Sequence, residues 1–506
     1  MTYNSLGFFV FFAIFLICYL LMPNGKLRQA VILVGSLAFY LLAAGPAVLM
    51  ILIGTAILVY LCSRQITKIY VGYDKEKEGL SPKEQAALFA EYKKKSKKYL
   101  IAALTIIVGF LVFVKMARLL QVQGILVPLG ISYYTFSSVG YLLDIYWKKA
   151  SFEPNFLKLL LCMTYFPHIV QGPIGRYDKL LKQFDALPKP EYRRICFGLQ
   201  RMLWGFFKKM VVADRLALYT TAVWNMPDYH VGLEMLLAIV LGAVELYADF
   251  SGCMDIVCGA AQTMGVTLDE NFRRPFFAKN AAEFWRRWHI TLGTWFKDYI
   301  YMPIAMNPRF MKCAVNVRKK HGNRAGQVVS AAIPLTVVWL LTGVWHGTGM
   351  NYVVWGLYWG VLIILETIFT KETKQFNEKL HIDPKKKWFQ IFQMVRTFLV
   401  FCVGRMLTVT GTLIRQLFAG TGMRAFTQGS LFGFGLDRKN FIVALIGVAL
   451  IWIVDILQEH IQIREWLAKR PLPVRWLIYY GACVILLIFA RYGSAYDASS
   501  FIYGGF

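Results

Sequence analysis

Acidic residues are scarce in this sequence. Its 506 residues include 29 Asp and Glu against 56 Lys and Arg, which gives a formal net charge of +27. Charged residues make up only 17% of the chain and hydrophobic residues 57%, whereas soluble domains average about 25% charged and about 45–50% apolar residues. This shortage of charge excludes an ordinary soluble enzyme and a disordered chain.

Cysteine patterns that hold metals or staple small domains are also missing. The nine cysteines are scattered, and Cys253 and Cys258 are five residues apart, which is not a zinc spacing. The HExxH motif of zinc proteases is absent. We therefore expect buried free thiols, with neither a metal site nor a disulfide framework.

The apolar residues are concentrated in long runs, beginning with 7–22, 46–62 and 99–114. A transmembrane helix needs about 20 such residues, and the runs lack the alternation of a membrane β-barrel. No basic segment precedes the first run and no small-residue cleavage site follows it, so we expect a span rather than a signal peptide. We predict an all-α, polytopic membrane protein with about 11 crossings, formed by one domain over 1–506.

Basic residues cluster in short loops beside these runs, which argues against nucleic-acid binding. Residues 63–98 hold ten Lys or Arg, and the positive-inside rule places such a segment in the cytoplasm. The sequence therefore predicts a multi-pass protein of the cytoplasmic (inner) membrane with its N-terminus outside. Segment 63–98 also reads as an amphipathic helix lying on the membrane lipid.

His346 stands out among the seven histidines. No Asp, Glu, Lys or Arg occurs from 325 to 365, and His346 lies within this stretch in the sequence GVWHG (343–347). An ionisable residue inside a membrane is costly and indicates a functional site. If the helix begins near Pro334, His346 lies about 18 Å along it, near the middle of the membrane; an earlier start places it nearer the outside. The alternative is a core histidine bonded to a carbonyl.

A second segment, 271–304, is too charged for a span and too aromatic for a solvated loop. Asn280 is a good N-cap for a helix in which Trp285 and His289 share a face. Such a helix fits either an interfacial anchor or the wall of a polar cavity. Its candidate cavity-lining residues are Asn271, Trp285, Arg286 and Trp288, to which we add Trp345 beside His346.

A third segment, 242–265, holds Glu245, Asp249 and Asp255 within apolar sequence. Acids in such a place must pair or face water. We expect them to pair with the arginines of 271–287, and Asp249 is a further candidate for lining a cavity. His168, at a possible re-entrant turn, is a weaker candidate, and the other four histidines lie in polar connections.

Three of these stretches together resemble the membrane-bound O-acyltransferase (MBOAT) family: FWRRWHITLGTWFKDYIYMP (284–303), GVWHG (343–347) and ELYADFSGCMDI (245–256). They are most similar to its bacterial branch, which includes the alginate and peptidoglycan O-acetyltransferases and the D-alanyl transfer protein of teichoic acids. The sequences at 127–147, 166–176 and 501–506 also look like the alginate type. After Pro303 the chain departs from the alginate type.

The resemblance implies a ring of tilted helices around a central tunnel, with the catalytic core in 242–365. By it, His346 matches the active-site histidine of the family and His289 its second histidine. It implies acetyl-CoA or an acyl-carrier thioester as the donor and an envelope polysaccharide as the acceptor, reached through an extracytoplasmic relay protein. D-alanyl transfer, a transporter or flippase, and a non-catalytic membrane scaffold stay open as alternatives.

Overall fold

The structure is a computed structural model that describes residues 1–226, 233–409 and 436–492. Within these ranges the regular structure is helical, apart from one bridge between Phe272 and Trp288. Eight of the described helices are long and apolar enough to cross a membrane, and Leu6–Leu20 is a shorter apolar helix. This confirms a polytopic α-helical protein, whereas the expected number of crossings stays a prediction. His230 and residues 501–506 lie outside the described residues.

The chain forms two compact units, and the helices Tyr192–Phe206 and Leu233–Thr263 contribute residues to both. In the described residues, the first unit contains 1–202 and 256–269. Its helices are α1 (Leu6–Leu20), α2 (Gly25–Ala44), α3 (Pro46–Glu76), α4 (Pro82–Leu119), α5 (Ile131–Tyr146), α6 (Phe156–Thr164), α7 (Phe166–Ile169), α8 (Tyr177–Asp185) and the start of α9 (Tyr192–Phe206).

Helices α3 and α4 pack against each other as a long hairpin. Ser81 and Glu84 form a capping box at the start of α4, in which Glu84 accepts a bond of 2.9 Å from the Ser81 N–H. Residues 63–98 are therefore the ends of two long helices and the turn between them, not a separate helix on the membrane surface. The expectation of a cytoplasmic location is unaffected by this correction.

The second unit contains 203–255 and the described part of 270–497. It includes two π-helical segments, Phe207–Ala213 and Lys297–Tyr301, and a 3-10 turn, Pro275–Phe277. Its α-helices are α10 (Asp214–Asn225), α11 (Leu233–Thr263), α12 (Ala281–Arg287), α13 (Ile290–Phe296), α14 (Met302–Ala305), α15 (Pro308–His346), α16 (Met350–Ile368), α17 (Thr370–Lys379), α18 (Lys387–Thr408), α19 (Arg438–Leu457), α20 (Ile463–Ala468) and α21 (Leu472–Phe489).

Helix α15 is broken at Gly322, whose φ of 87° and ψ of 169° are not helical. The helical part that carries His346 therefore begins after Gly322, and Pro334 lies inside it. The expectation of a start near Pro334 is wrong, and the earlier start that the sequence left open is found. His346 is the last residue of the helix, and its depth in the membrane stays a prediction.

Candidate active site

Helix α12 is fixed at its N-terminus by two side chains from different parts of the chain. Asn280 accepts a hydrogen bond of 2.8 Å from the Glu283 N–H, as predicted. Glu366 of α16 accepts bonds of 2.8 and 3.0 Å from the N–H groups of Ala281 and Ala282. These contacts satisfy N–H groups that have no partner within a helix, and they fix α12 relative to α16.

His289 does not continue α12, because that helix ends at Arg287. Its φ of 46° and ψ of 49° are left-handed, a conformation that residues other than glycine rarely adopt. The prediction of one helix through Trp285 and His289 is therefore wrong. His289 instead occupies a turn between α12 and α13.

Asn271 holds the residues that follow His289. Its backbone carbonyl accepts from the Ile290 N–H at 3.1 Å, and its Oδ1 accepts from the Thr291 N–H at 3.0 Å and the Thr291 hydroxyl at 2.7 Å. Its amide nitrogen donates to Met254 Sδ on α11 at 3.0 Å. Asn271 is 1% exposed, and each of these contacts holds the histidine turn in place.

The His289 ring is enclosed by aromatic side chains. It is 1% exposed and meets the Phe250 ring edge-to-face, with centroids 4.8 Å apart. Its centroid is 6.0 Å from that of Trp345. Burial lowers the pKa of His289 to about 3, because removal from water disfavours the charged form. His289 is therefore a neutral imidazole at physiological pH.

His346 is buried as well, with 7% of its surface exposed. Its ring lies 4.6 Å from Trp345 and 4.7 Å from Trp355, measured between centroids. The two predicted histidines therefore share one aromatic neighbour, Trp345. The structure brings together in one unit two residues that are far apart in sequence.

Glycines allow α15 and α16 to pack closely beside His346. A Cβ atom on Gly343 would lie 2.4 Å from the Tyr352 carbonyl oxygen, and one on Gly347 would lie 2.1 Å from the Tyr352 ring. Both distances are far below van der Waals contact. The neighbour at both positions is therefore α16 of the protein itself.

Tryptophans extend the aromatic surroundings of His346. The Trp285 ring lies 4.8 Å from Trp339, 5.7 Å from Trp355 and 5.1 Å from Trp359. Trp288 is 3% exposed and stacks on Phe284. Arg286 is exposed on the same helix. That these residues line a tunnel stays a prediction.

The buried acids pair with residues that the sequence analysis did not select. Asp249 forms an ion pair with Lys209 at 2.5 Å, and Asp255 forms one with Lys208 at 2.5 Å. Glu245 accepts a hydrogen bond of 2.6 Å from the Thr220 hydroxyl. The expected arginine partners face other acids: Arg274 contacts Glu459 and Arg287 contacts Glu283.

Among the remaining histidines, His168 is 2% exposed, and its Nε2 lies 2.8 Å from the Cys162 carbonyl oxygen. His321, His381 and His460 are exposed, in agreement with the sequence analysis.

Sequence reasoning missed several residues of this region. Lys208 and Lys209 could have been found as two adjacent cations within the apolar sequence of 203–213. Glu366 is the first charged residue after the uncharged stretch. Phe250 and Trp355 carry no signal that separates them from the other aromatic residues of the chain.

Comparison with known proteins identifies the family of the chain. Residues 122–315, which include His289, match the model of the membrane-bound O-acyltransferase family, MBOAT. The chain is 30% identical to the teichoic acid D-alanyltransferase of Lacticaseibacillus rhamnosus over 55% of this chain and 68% of that protein. The chain belongs to the membrane-bound O-acyltransferase family. Its expected bacterial branch is confirmed by these relatives.

Other MBOAT relatives carry different names. The probable alginate O-acetylase AlgI of Pseudomonas syringae is 29% identical over 66% of this chain and 60% of its own length. The peptidoglycan O-acetyltransferase of Helicobacter pylori is 27% identical over 55% of this chain and 54% of its own length. Across five alginate relatives the match covers 43% to 60% of their length.

Proposed function

We propose that this MBOAT protein transfers an acyl group, most simply acetyl, from a cytoplasmic thioester to hydroxyls of an extracytoplasmic envelope polysaccharide. The observation that carries the proposal is the placement of His289 and His346, both buried and both in contact with Trp345. A buried imidazole is a suitable general base, because it stays neutral and accepts a proton. Family membership supports acyl transfer, and the names of the relatives support the class of acceptor.

In the proposed reaction, His346 accepts the proton of an acceptor hydroxyl while the hydroxyl oxygen attacks the carbonyl carbon of the thioester. The C–S bond then breaks, and His346 returns the proton to the leaving thiolate. His289 is neutral and can donate its ring N–H to the carbonyl oxygen as negative charge develops there. Such preorganised donors contribute most in sites that exclude water. Acetyl-CoA or an acyl-carrier thioester would supply the acyl group.

The proposal includes an orientation and a partner. The Lys and Arg distribution supports an external N-terminus in the cytoplasmic membrane, with the turn between α3 and α4 in the cytoplasm. A cysteine introduced at Gly79, in that turn, should then react with a membrane-impermeant thiol reagent only after the cells are opened.

We further propose a separate extracytoplasmic protein that accepts or relays the acyl group. Full-rate acetylation of polymer by the purified chain alone would contradict this partner.

The first experiment measures alkali-labile acetate on envelope glycans of the producing cell. His346→Ala is compared with the native protein at matched amounts in the membrane, and His381→Ala, an exposed histidine, is the control. We expect loss of acetate only in the His346 variant, and the glycan fraction that loses acetate identifies the acceptor. Unchanged acetate in that variant would contradict acetyl transfer by this site.

D-alanyl transfer to a teichoic acid-type polymer is the second candidate. It is favoured by the teichoic acid D-alanyltransferase of Bacillus subtilis, which is 32% identical over 67% of its length. The same alkaline hydrolysates are therefore assayed for D-alanine. Loss of D-alanine esters with unchanged acetate would replace the first candidate by the second.

A further inference from the structure

The proposed chemistry does not use the ion pairs between the π-helical segment Phe207–Ala213 and helix α11. Lys209 Nζ lies 2.5 Å from Asp249 Oδ1 and 2.9 Å from Asp214 Oδ1, and the Lys209 side chain is 1% exposed. Lys208 Nζ lies 3.0 Å from the Ser251 hydroxyl and pairs with Asp255. Burying charges is costly even when they are paired, so these two adjacent pairs are weak evidence for a gain in stability.

The two segments also touch through their backbones at Gly252. A Cβ atom at this position would lie 2.9 Å from the Gly205 carbonyl oxygen and 3.1 Å from the Lys209 nitrogen. Asp249 precedes this contact by three residues and Asp255 follows it by three. The ion pairs therefore fix the register of α11 on both sides of a close backbone contact.

Residues on another part of the α11 surface reach the histidine turn. Phe250 follows Asp249 directly and packs edge-to-face on the His289 ring at 4.8 Å. Met254 Sδ accepts the Asn271 amide N–H at 3.0 Å, and Asn271 in turn binds the residues after His289. A rotation or shift of α11 would therefore move the contacts that hold His289.

We infer that the Lys209–Asp249 pair is a positioning device for His289, acting through helix α11 and the contacts of Phe250 and Met254. Lys209 and Asp249 are positioning residues, because their proposed effect on the histidine ring runs through the contacts of Phe250 and Asn271. The part of the inference that concerns turnover rests on the proposed function. The part that concerns the position of His289 does not.

The test replaces Lys209 and Asp249 together, as Lys209→Met with Asp249→Leu, in an Asp214→Asn background, so that neither carboxylate in contact with Lys209 keeps its charge. Replacing a buried ion pair by apolar residues of similar volume is often neutral for stability, whereas removing one partner is strongly destabilising. A pair that only stabilises the fold would leave the double variant stable and active. A positioning pair leaves it stable but lowers kcat by about 10- to 100-fold with KM for the thioester unchanged, since a small misplacement at a site has this effect.

A second readout does not depend on activity. Hydrogen exchange is measured on the peptide 285–295, whose amide groups at Ile290 and Thr291 are bonded to Asn271. We expect exchange there to rise about tenfold in the double variant, with exchange in α16 unchanged. The control is Lys95→Gln with Glu91→Gln, an exposed pair, which should change neither readout.

Unchanged exchange in 285–295 would overturn the inference. If the double variant does not fold, Phe250→Leu decides instead, because it breaks the contact with His289 while leaving both charges in place. Unchanged exchange in that variant would overturn the inference equally. If the wild-type protein transfers no acyl group from any thioester, the proposed function fails, whereas raised exchange still supports the positioning of His289.

Discussion

The substitution Asn271→Ala should both destabilise the protein and slow its reaction, because Asn271 holds the turn that carries His289. Asn271 Oδ1 is the acceptor for both the N–H and the hydroxyl of Thr291, in a position that is 1% exposed. Each buried donor left without an acceptor costs about 1–3 kcal/mol. Because the hydroxyl can rotate toward another acceptor, we expect a loss of about 2–4 kcal/mol in the free energy of unfolding.

The same change should affect turnover further. The left-handed conformation of His289 itself costs about 1–3 kcal/mol, and such conformations persist only when the surroundings impose them. Without Asn271 the turn can relax, which moves the imidazole. We expect kcat per folded molecule to fall about 100-fold, because displacements of about 1 Å have this effect.

A graded series of variants tests whether the losses of stability and turnover follow the Asn271 hydrogen bonds that are removed. Thr291→Val removes only the hydroxyl bond and should cost about 1 kcal/mol, and Met254→Leu conserves volume and should cost less than about 1.5 kcal/mol. Thermal unfolding in detergent and thioester turnover are measured on each. Wild-type turnover in the folded Asn271→Ala protein, or a larger loss of turnover from Met254→Leu, would refute the reasoning.

Three further changes have defined outcomes. Gly343→Ala should separate α15 from α16 and abolish activity, because the added Cβ would lie 2.4 Å from a backbone oxygen. Its control is Gly54→Ala, in open space, which should change neither the activity nor the midpoint of thermal unfolding. Glu366→Ala removes the acceptor for two N–H groups of α12 and should lower stability by about 1–2 kcal/mol, measured by thermal unfolding; full stability would contradict the cap. Since the pKa of His289 falls from about 6.5 in the unfolded chain to about 3 in the folded protein, His289 should contribute about 2 kcal/mol to the decrease in the free energy of unfolding between pH 8 and pH 5. The decrease should be about 2 kcal/mol smaller in a His289→Gln variant than in the native protein, and equal midpoint shifts in both proteins would contradict the low pKa.

The class of the protein could be predicted from its sequence because it depends on hydropathy and charge summed over long stretches of the chain. Long apolar runs satisfy the length requirement of a membrane helix wherever their neighbours pack. His346 was found for a related reason, since one histidine in a stretch of 41 residues without Asp, Glu, Lys or Arg stands out without any structure. The family resemblance added His289, whose role no spacing rule indicates.

The local geometry around these residues could not be predicted from the helical period of the sequence. The spacing of Trp285 and His289 satisfies the helical period, yet the chain leaves the helix at Arg287. A contact from outside the helix holds this conformation, because Asn271, 20 residues before Thr291, accepts a hydrogen bond from the Thr291 N–H. Periodicity describes only neighbours within one helix, so it does not predict a hydrogen bond to a residue outside that helix.

The buried acids show the same limit in electrostatic form. Glu245, Asp249 and Asp255 were recognised as residues that must pair or face water, and the arginines of 271–287 were expected as their partners. The partners of Asp249 and Asp255 are Lys209 and Lys208, two consecutive residues of the π-helical segment Phe207–Ala213, whereas Glu245 bonds to the Thr220 hydroxyl. Counting charges within one segment does not identify such partners, because these residues meet only through the packing of separate helices. The π-helical segment is a local departure from the α-helix, and such departures are frequent at functional sites.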